Sequence, residues 1–366
     1  MRLLILTQAV DENNPILGFF IDWLKEFAKH CEFVTVICLY KGKYDLPNNI
    51  KVLSLGKEDN CQLRITNYEF FKKIKYIYRF YKYIWQEKKN YDVVFVHMNQ
   101  IYVVLGGLLW KAWRKKIGLW YVHKQVSCSL KLAEKIVDII FTASAQSFRL
   151  KSKKVKVVGH GINPAIFKPA GIEKNSNVFK IITIGRIAPV KNYELLVEAA
   201  EFLLNSKLDK KIEVKIIGAP QTTDENTYLE KLKKIVTDKK LEGTVFFPGA
   251  IPNKEIVSHL QSADLFVNTS QTGSLDKAVL EAMACETLVV TTNEAFVEIF
   301  GDLSDLTVSG NTSTELAEKI KFFIQNNNQG ERQKIKKELR CIVLNNHNLD
   351  SLISNILKIY GSSTSR

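Results

Sequence analysis

Lys180-Ile181-Ile182-Thr183-Ile184-Gly185-Arg186-Ile187-Ala188-Pro189-Val190-Lys191-Asn192 decides the fold. A short β-branched run, too short for a helix, ends at a glycine and a polar turn. The segment Glu194–Asn205 that follows has helical periodicity. Strand, glycine turn and helix in that order form the first half of a βαβ unit. The same alternation continues through Val214–Ile217, Tyr228–Asp238, Val245–Phe247, Leu265–Val267 and Leu288–Val290. Upstream, strands are predicted at Leu3–Leu6, Phe33–Ile37, Val52–Leu55, Val93–Val96, Leu119–Val122, Ile139–Phe141 and Val155–Val158, with a helix over Phe19–Ala28. All of this reads as an α/β protein built on parallel sheets.

With 366 residues the chain is longer than one core normally grows, ~250–300 residues. Asn163-Pro164-Ala165-Ile166-Phe167-Lys168-Pro169-Ala170-Gly171 interrupts the rhythm, so 165–178 reads as a linker between two doubly wound domains. Their predicted extents are 1–170 and 178–345, with a last helix over 346–366 packing back toward the first domain. Two such domains are expected to face each other across a central cleft, with ligands at the carboxyl ends of the strands.

Charge separates the halves. Residues 1–170 carry 28 basic and 13 acidic side chains, while 171–366 carry 24 and 25. A basic half calls for an anionic partner: nucleic acid, a membrane surface or phosphorylated substrates. No recognition helix, zinc spacing or RNA-binding motif accompanies the charge, so nucleic acid is not expected. Phe70 to Asn90 interleaves aromatics with Lys72, Lys73, Lys75, Arg79, Lys82, Lys88 and Lys89. At helical spacing Ile74, Ile77, Tyr81 and Ile84 share one face. A second cluster, Lys111, Arg114, Lys115 and Lys116, surrounds Trp110 and Trp113. Both clusters suit an anionic bilayer surface, or else two amphipathic helices with solvated outer faces.

The cysteines Cys31, Cys38, Cys61, Cys128, Cys285 and Cys341 form no CxxC pair, and the histidines form no HxH or HExxH pattern. Neither a disulfide framework nor a metal site is expected. MRLLILTQAVDENNP lacks a signal-peptide core and cleavage site, and no run suits a membrane span. A cytoplasmic protein, peripheral on the membrane's inner face, is the expectation.

Two segments carry the chemistry. In the opening segment, Arg186 and Lys191 sit where a strand end meets a helix N-terminus, a setting suited to a diphosphate. Thr272-Gly273-Ser274-Leu275-Asp276-Lys277-Ala278-Val279-Leu280-Glu281-Ala282-Met283-Ala284 is a polar, glycine-containing loop running into a helix. Glu281, among apolar neighbours, needs a partner, and a ribose diol would serve. His97 and His123 each end a predicted strand, as site residues or as buried core histidines.

Arg186 with Lys191, then a loop–helix ending in Leu-Glu-Ala-Met-Ala, resembles the retaining glycosyltransferases of the family-4 type, which have the GT-B fold. Phe247-Pro248-Gly249, Ala263-Asp264-Leu265-Phe266-Val267 and Gly161-Ile162-Asn163 fall in matching places. The resemblance implies a UDP- or GDP-sugar donor, an acceptor glycan or lipid-linked sugar, and cell-surface polysaccharide or glycolipid synthesis. It further implies that Arg186 and Lys191 hold the diphosphate and that Glu281 binds the ribose. The backbone of Ser274, Leu275, Asp276 and Lys277 then cradles the donor, beside Gly185, and Ile251 lies near the base. His123 lies near the sugar and acceptor, and Gly18 lets backbone approach the diphosphate. No metal is implied, because cations and a helix N-terminus stabilise the leaving group.

The sequence departs from the pattern at two places. Gly273 stands where the family usually has a sugar-contacting glutamate, so Asp276 is the candidate carboxylate, or backbone alone holds the sugar. Glu286 and Leu288 replace a glycine and a proline, and Glu286 forgoes an easy left-handed turn at about 1 kcal/mol. A sugar-nucleotide-binding protein without catalysis and a GT-B epimerase are the alternatives.

Overall fold

The computed structural model describes residues 1–59, 68–171, 177–271, 273–310, 312–326 and 328–362, with the side chains of 68–70 excepted. Cys61, Thr272 and residues 172–176 of the predicted linker lie outside the described residues. The chain divides into Met1–Gly161 with Leu349–Arg366, and Ile162–Asn348.

The N-terminal unit holds seven parallel strands: β1 (Arg2–Val10), β2 (Phe33–Lys41), β3 (Ile50–Ser54), β4 (Val93–His97), β5 (Lys116–Trp120), β6 (Ile139–Thr142) and β7 (Val155–Val157). They lie in the order β3-β2-β1-β4-β5-β6-β7. Val93 to His97 are all buried, as in a parallel sheet covered on both faces. On one face pack α2 (Tyr68–Gln86), α3 (Ile101–Ala112) and α4 (Cys128–Ile136), through Phe80, Ile84, Tyr102, Trp110 and Leu130. The Trp110 indole donates to the Tyr91 hydroxyl (3.1 Å), which satisfies the polar edge of that core.

The other face meets α1 (Phe20–His30) and α12 (Leu349–Ser362), the segment that returns from the far end of the chain. Phe27, Phe95, Phe141 and Tyr360 form a chain of rings at 5.3, 6.1 and 5.6 Å. The Tyr360 hydroxyl donates to Val94 O (2.8 Å), and Lys116 Nζ caps the end of α12 at Tyr360 O (3.0 Å).

The C-terminal unit is a five-stranded parallel sheet in the order β10-β9-β8-β11-β12. Its strands are β8 (Val178–Ile184), β9 (Lys211–Ile217), β10 (Val245–Gly249), β11 (Leu265–Asn268) and β12 (Leu288–Thr291). Helices α5 (Tyr193–Asn205), α6 (Thr223–Asp238), α7 (Asn253–Ser262), α8 (Lys277–Ala284), α9 (Val297–Phe300), α10 (Ser313–Gln325) and α11 (Gln329–Asn346) complete it. Both units are Rossmann-like, as expected. In each, the strand order reverses beside the first strand, between β1 and β4 and between β8 and β11. A crevice opens at such a point because neighbouring loops leave in opposite directions.

Two expectations need correction. The stretch read as the start of a linker is packed into the C-terminal unit: Phe167 is buried, Arg340 Nη1 donates to Phe167 O (3.2 Å), and Gln261 Nε2 donates to Lys168 O (2.7 Å). Prolines and glycine there mark irregular backbone, and a buried phenylalanine anchors it. The unit boundary therefore falls at Gly161–Ile162 instead of near 170. The second correction concerns β5, which ends at Trp120, so His123 follows the strand instead of ending it.

Candidate active site of the C-terminal unit

The β8 and β11 loops leave their strands side by side at the switch point. Their charged residues meet there. Gly185 follows β8, and a Cβ at that position would lie 3.0 Å from the Tyr193 hydroxyl and 3.3 Å from Lys191 Cε. The missing side chain gives the Lys191 stem room to cross the strand end. Gly218, at the end of β9, has φ +150°, and a Cβ there would lie 1.8 Å from Gly185 O. These two glycines keep the carboxyl edge of the sheet bare. A 3-10 turn, Pro189–Lys191, then hands over to α5 through Asn192, a left-handed residue with φ 49°.

Lys191 Nζ binds Asp276 Oδ2, and Asn268 Nδ2 donates to the same oxygen (3.1 Å). Asn268, the last residue of β11, is fixed in turn by Thr291 Oγ1 at the end of β12 (2.9 Å). Thr269 Oγ1 holds the Lys191 carbonyl (2.7 Å). Both charged side chains are nearly enclosed, 16% and 11% exposed. Burial alone would raise the Asp276 pKa. The Lys191 ammonium and the hydrogen bonds from Lys191 and Asn268 outweigh it, so the carboxyl is held below its ordinary value.

One turn into α8, Lys277 Nζ binds Glu281, and the same ammonium lies 5.4 Å over the Phe167 ring. Burial pushes the Glu281 pKa up, and the Lys277 charge opposes that without cancelling it. Arg186 is the exposed cation of the group, with its Nε 3.4 Å from Glu225 Oε1. Glu225 is itself oriented by the amide of Gln221 (2.8 Å). Each of the three cations thus faces a carboxylate. The arrangement is internally neutral, and an anion with several oxygens can exchange for those carboxylates one at a time.

The loop before α8 is fixed from below. Leu275 is buried, and Asn293 Nδ2 donates to Ser274 O (2.9 Å). Gly273 is buried with φ +55°, a left-handed residue at the turn. Ile251 is half-buried just beyond β10, which ends at Gly249 with φ +86°.

Residues 165–340, nearly all of this unit, match the family described as glycosyl transferases group 1. Mannosylfructose-phosphate synthase of Agrobacterium fabrum is 25% identical over 174 residues, 45% of this chain and 38% of that protein. D-inositol 3-phosphate glycosyltransferase of Kineococcus radiotolerans is 30% identical over 149 residues, 37% of this chain and 34% of that protein. The chain thus matches less than half the length of these curated relatives. Across its whole length it superposes on Anabaena HepE, solved with UDP and glucose (TM-score 0.72, 17% identity, 99% of this chain and 100% of that one). Sucrose-phosphate synthase from Thermosynechococcus elongatus gives a TM-score of 0.76 at 14% identity, covering 99% of both chains. The fold is GT-B.

Within the C-terminal unit, Arg186, Lys191, Asp276, Lys277 and Glu281 gather on two adjoining loops and the first turns of α8. Sequence reasoning missed Asn268, Thr291, Thr269, Asn293 and Glu225, which fix those charges. A signal was present in Val267-Asn268-Thr269-Ser270, where an apolar strand turns polar at its carboxyl end. Asp276, the candidate replacement for a sugar-contacting carboxylate, is turned toward Lys191 and Asn268.

In the N-terminal unit, His97 is a core histidine. It stacks on Phe20 at 4.1 Å, meets Thr7 Oγ1 through Nδ1 (3.2 Å), and burial, with His160 nearby, pushes its pKa down to about 3. His123 is exposed, bridged to Phe148, and its Nδ1 accepts from the amide of Gln125 (3.1 Å). Gly18 has a local cause: a Cβ there would lie 2.7 Å from Asn14 O and 2.9 Å from Glu12 O. Among the described residues, Glu26, His30 and Asp350 form a group that could ligate a metal ion, and His30 lies 3.4 Å from both carboxylates. In the structure it ties α12 to α1.

Proposed function

We propose that the protein transfers a sugar from a UDP- or GDP-sugar to an acceptor glycan or lipid-linked sugar, with retention at the anomeric carbon. The three paired cations at the switch point of the C-terminal unit support this reading above any other observation. Arg186 and Lys191 take the donor diphosphate, exchanging Glu225 and Asp276 for phosphate oxygens. Glu281 accepts from the ribose hydroxyls, and the backbone from Ser274 to Lys277 and Ile251 border the nucleotide. In the transfer, the acceptor oxygen bonds to C1 as the C1–O bond to the diphosphate breaks. The acceptor proton passes to a departing phosphate oxygen on the same face. Arg186 and Lys191 stabilise the charge that develops there, so no metal is required for that purpose. His123 is the residue this reading assigns to the sugar and acceptor.

The basic N-terminal half supports an acceptor presented at an anionic membrane surface, on its cytoplasmic side, in cell-surface polysaccharide or glycolipid synthesis. No described helix is long and apolar enough to cross a membrane, so the association is peripheral in this reading.

The test is a panel of UDP- and GDP-sugars with membrane-extracted acceptors in EDTA, followed by product release and anomeric NMR. Transfer with retained configuration is expected. Nucleotide binding without turnover would instead favour the non-catalytic alternative raised by Gly273. Activity lost on chelation and restored by Mg²⁺ would overturn the metal-free chemistry.

A further inference from the structure

Helix α2 carries apolar side chains on nearly every face, and the structure divides them. Phe80 and Ile84 are buried against the sheet, with Tyr76 and Tyr83 packed around them. Phe71, Ile74, Tyr78, Tyr81 and Trp85 are 36–67% exposed. Their spacing of three and four residues draws one continuous stripe along the outer side of the helix. On the neighbouring α3, Leu108 is 74% exposed. Two residues of the stripe also touch the neighbouring segment: the Tyr81 hydroxyl donates to Leu105 O (3.0 Å), and Trp85 meets Trp113, just past α3, edge to face at 5.5 Å. Of the residues that helical spacing places on one face, Ile84 is buried, while Ile74, Ile77 and Tyr81 are 46%, 42% and 36% exposed.

The cations divide as well. Arg79 and Lys75 both bind Asp59 (2.9 Å each), fastening α2 to the turn after β3. Lys73 and Lys82 are exposed on the two borders of the stripe. Lys88 lies 4.4 Å over the Trp85 ring, and Lys89 follows it in the open. An apolar ridge rimmed by lysines matches the layering of an anionic bilayer. Rings enter the acyl boundary while the ammonium groups remain among the phosphates.

We propose that the outer stripe of α2, with Leu108, is the surface that inserts into an anionic membrane. This inference rests on the membrane reading above and adds which residues enter the lipid. Attraction by charge alone would need only the lysines. The stripe adds an apolar contribution that survives salt.

The experiment uses the full chain with vesicles of phosphatidylglycerol and phosphatidylcholine in equal parts, and with phosphatidylcholine alone. The parent is expected to co-sediment with the first. The triple variant Ile74→Ser, Tyr78→Ser, Trp85→Ser keeps every charge and should partition on the order of a hundredfold more weakly. Lys73→Gln, Lys82→Gln and Lys89→Gln should each weaken partitioning about fivefold at low salt and less at high salt. Tryptophan emission of the parent should shift to the blue on vesicles, and Trp85→Phe should remove most of that shift while still binding. Melting temperature and UDP binding, measured on each variant, report that the fold is intact. A parent that ignores anionic vesicles sinks the membrane reading and this inference together. If the parent binds and the triple variant binds equally well, the membrane reading stands and the face is wrong. Self-association that depends on the stripe, without vesicle binding, would assign the face to a second copy and also overturn the proposal.

Discussion

Replacing Asp276 by Asn tests the reading of the nucleotide site most directly. The change keeps the shape and one acceptor for Asn268, and it removes the charge facing Lys191. Breaking a fully buried ion pair by deleting one partner costs about 3–5 kcal/mol. Here the lysine keeps 16% exposure, and the amide oxygen can still accept, so about 2–3 kcal/mol is expected. At ~2–4 °C per kcal/mol, the melting temperature should fall by roughly 5–10 °C. The pH dependence has a definite sign. Because the folded carboxyl titrates below its ordinary ~3.9, its contribution is complete above that value. It is lost as pH falls through the lower folded value, so parent and variant should converge in acid. UDP should partly repair the variant, since a diphosphate supplies the charge that Lys191 has lost, and the UDP-induced rise in melting temperature should exceed the parent's. Thermal melts with and without UDP, across pH, give all three quantities. An unchanged melting temperature at neutral pH would refute the pairing. A smaller UDP-induced rise in the variant than in the parent would refute the exchange of carboxylate for phosphate.

Two further predictions concern stability. Glu286 has φ 56° just past α8, where the amide of Thr287 reaches back to Ala282 O (3.0 Å), so Glu286→Gly should stabilise the protein by about 1 kcal/mol, raising melting by roughly 2–4 °C. A drop in melting temperature would mean that the Gln333–Glu286 hydrogen bond (3.2 Å) outweighs the backbone strain. At Gly118 an added Cβ would lie 2.1 Å from the Tyr360 hydroxyl and 2.8 Å from Phe141, so Gly118→Ala should destabilise by about 1–3 kcal/mol. Hydrogen exchange should then rise first in α12, and exchange rising elsewhere instead would show that α12 does not depend on that contact.

How much of this was legible in the sequence depends on whether a local pattern had a unique physical cause. Runs such as Val93–Val96 and Leu288–Val290 are too short for helices and too apolar for loops, so the parallel strands could be read directly. The positions of Lys191, Asp276 and Glu281 were legible for a related reason: charges near strand ends and helix starts fall at the carboxyl edge of an open sheet. Their partners were not legible. That Asp276 faces Lys191, 85 residues away, follows from β8 and β11 being neighbours in the sheet, and no local spacing encodes that adjacency. The linker was misread because proline and glycine report irregular backbone and say nothing about burial, which Phe167 and Arg340 decide through a contact across 173 residues. Helix α2 is the sharpest case. Periodicity selects a buried face only when the opposite face is polar, and here aromatics occupy both. The sequence therefore specifies two apolar faces on one helix, and a single sheet can cover only one of them. Whatever covers the other must tolerate lysines at its edge and accept aromatic rings at its centre, and that requirement is set by the residues of α2 themselves.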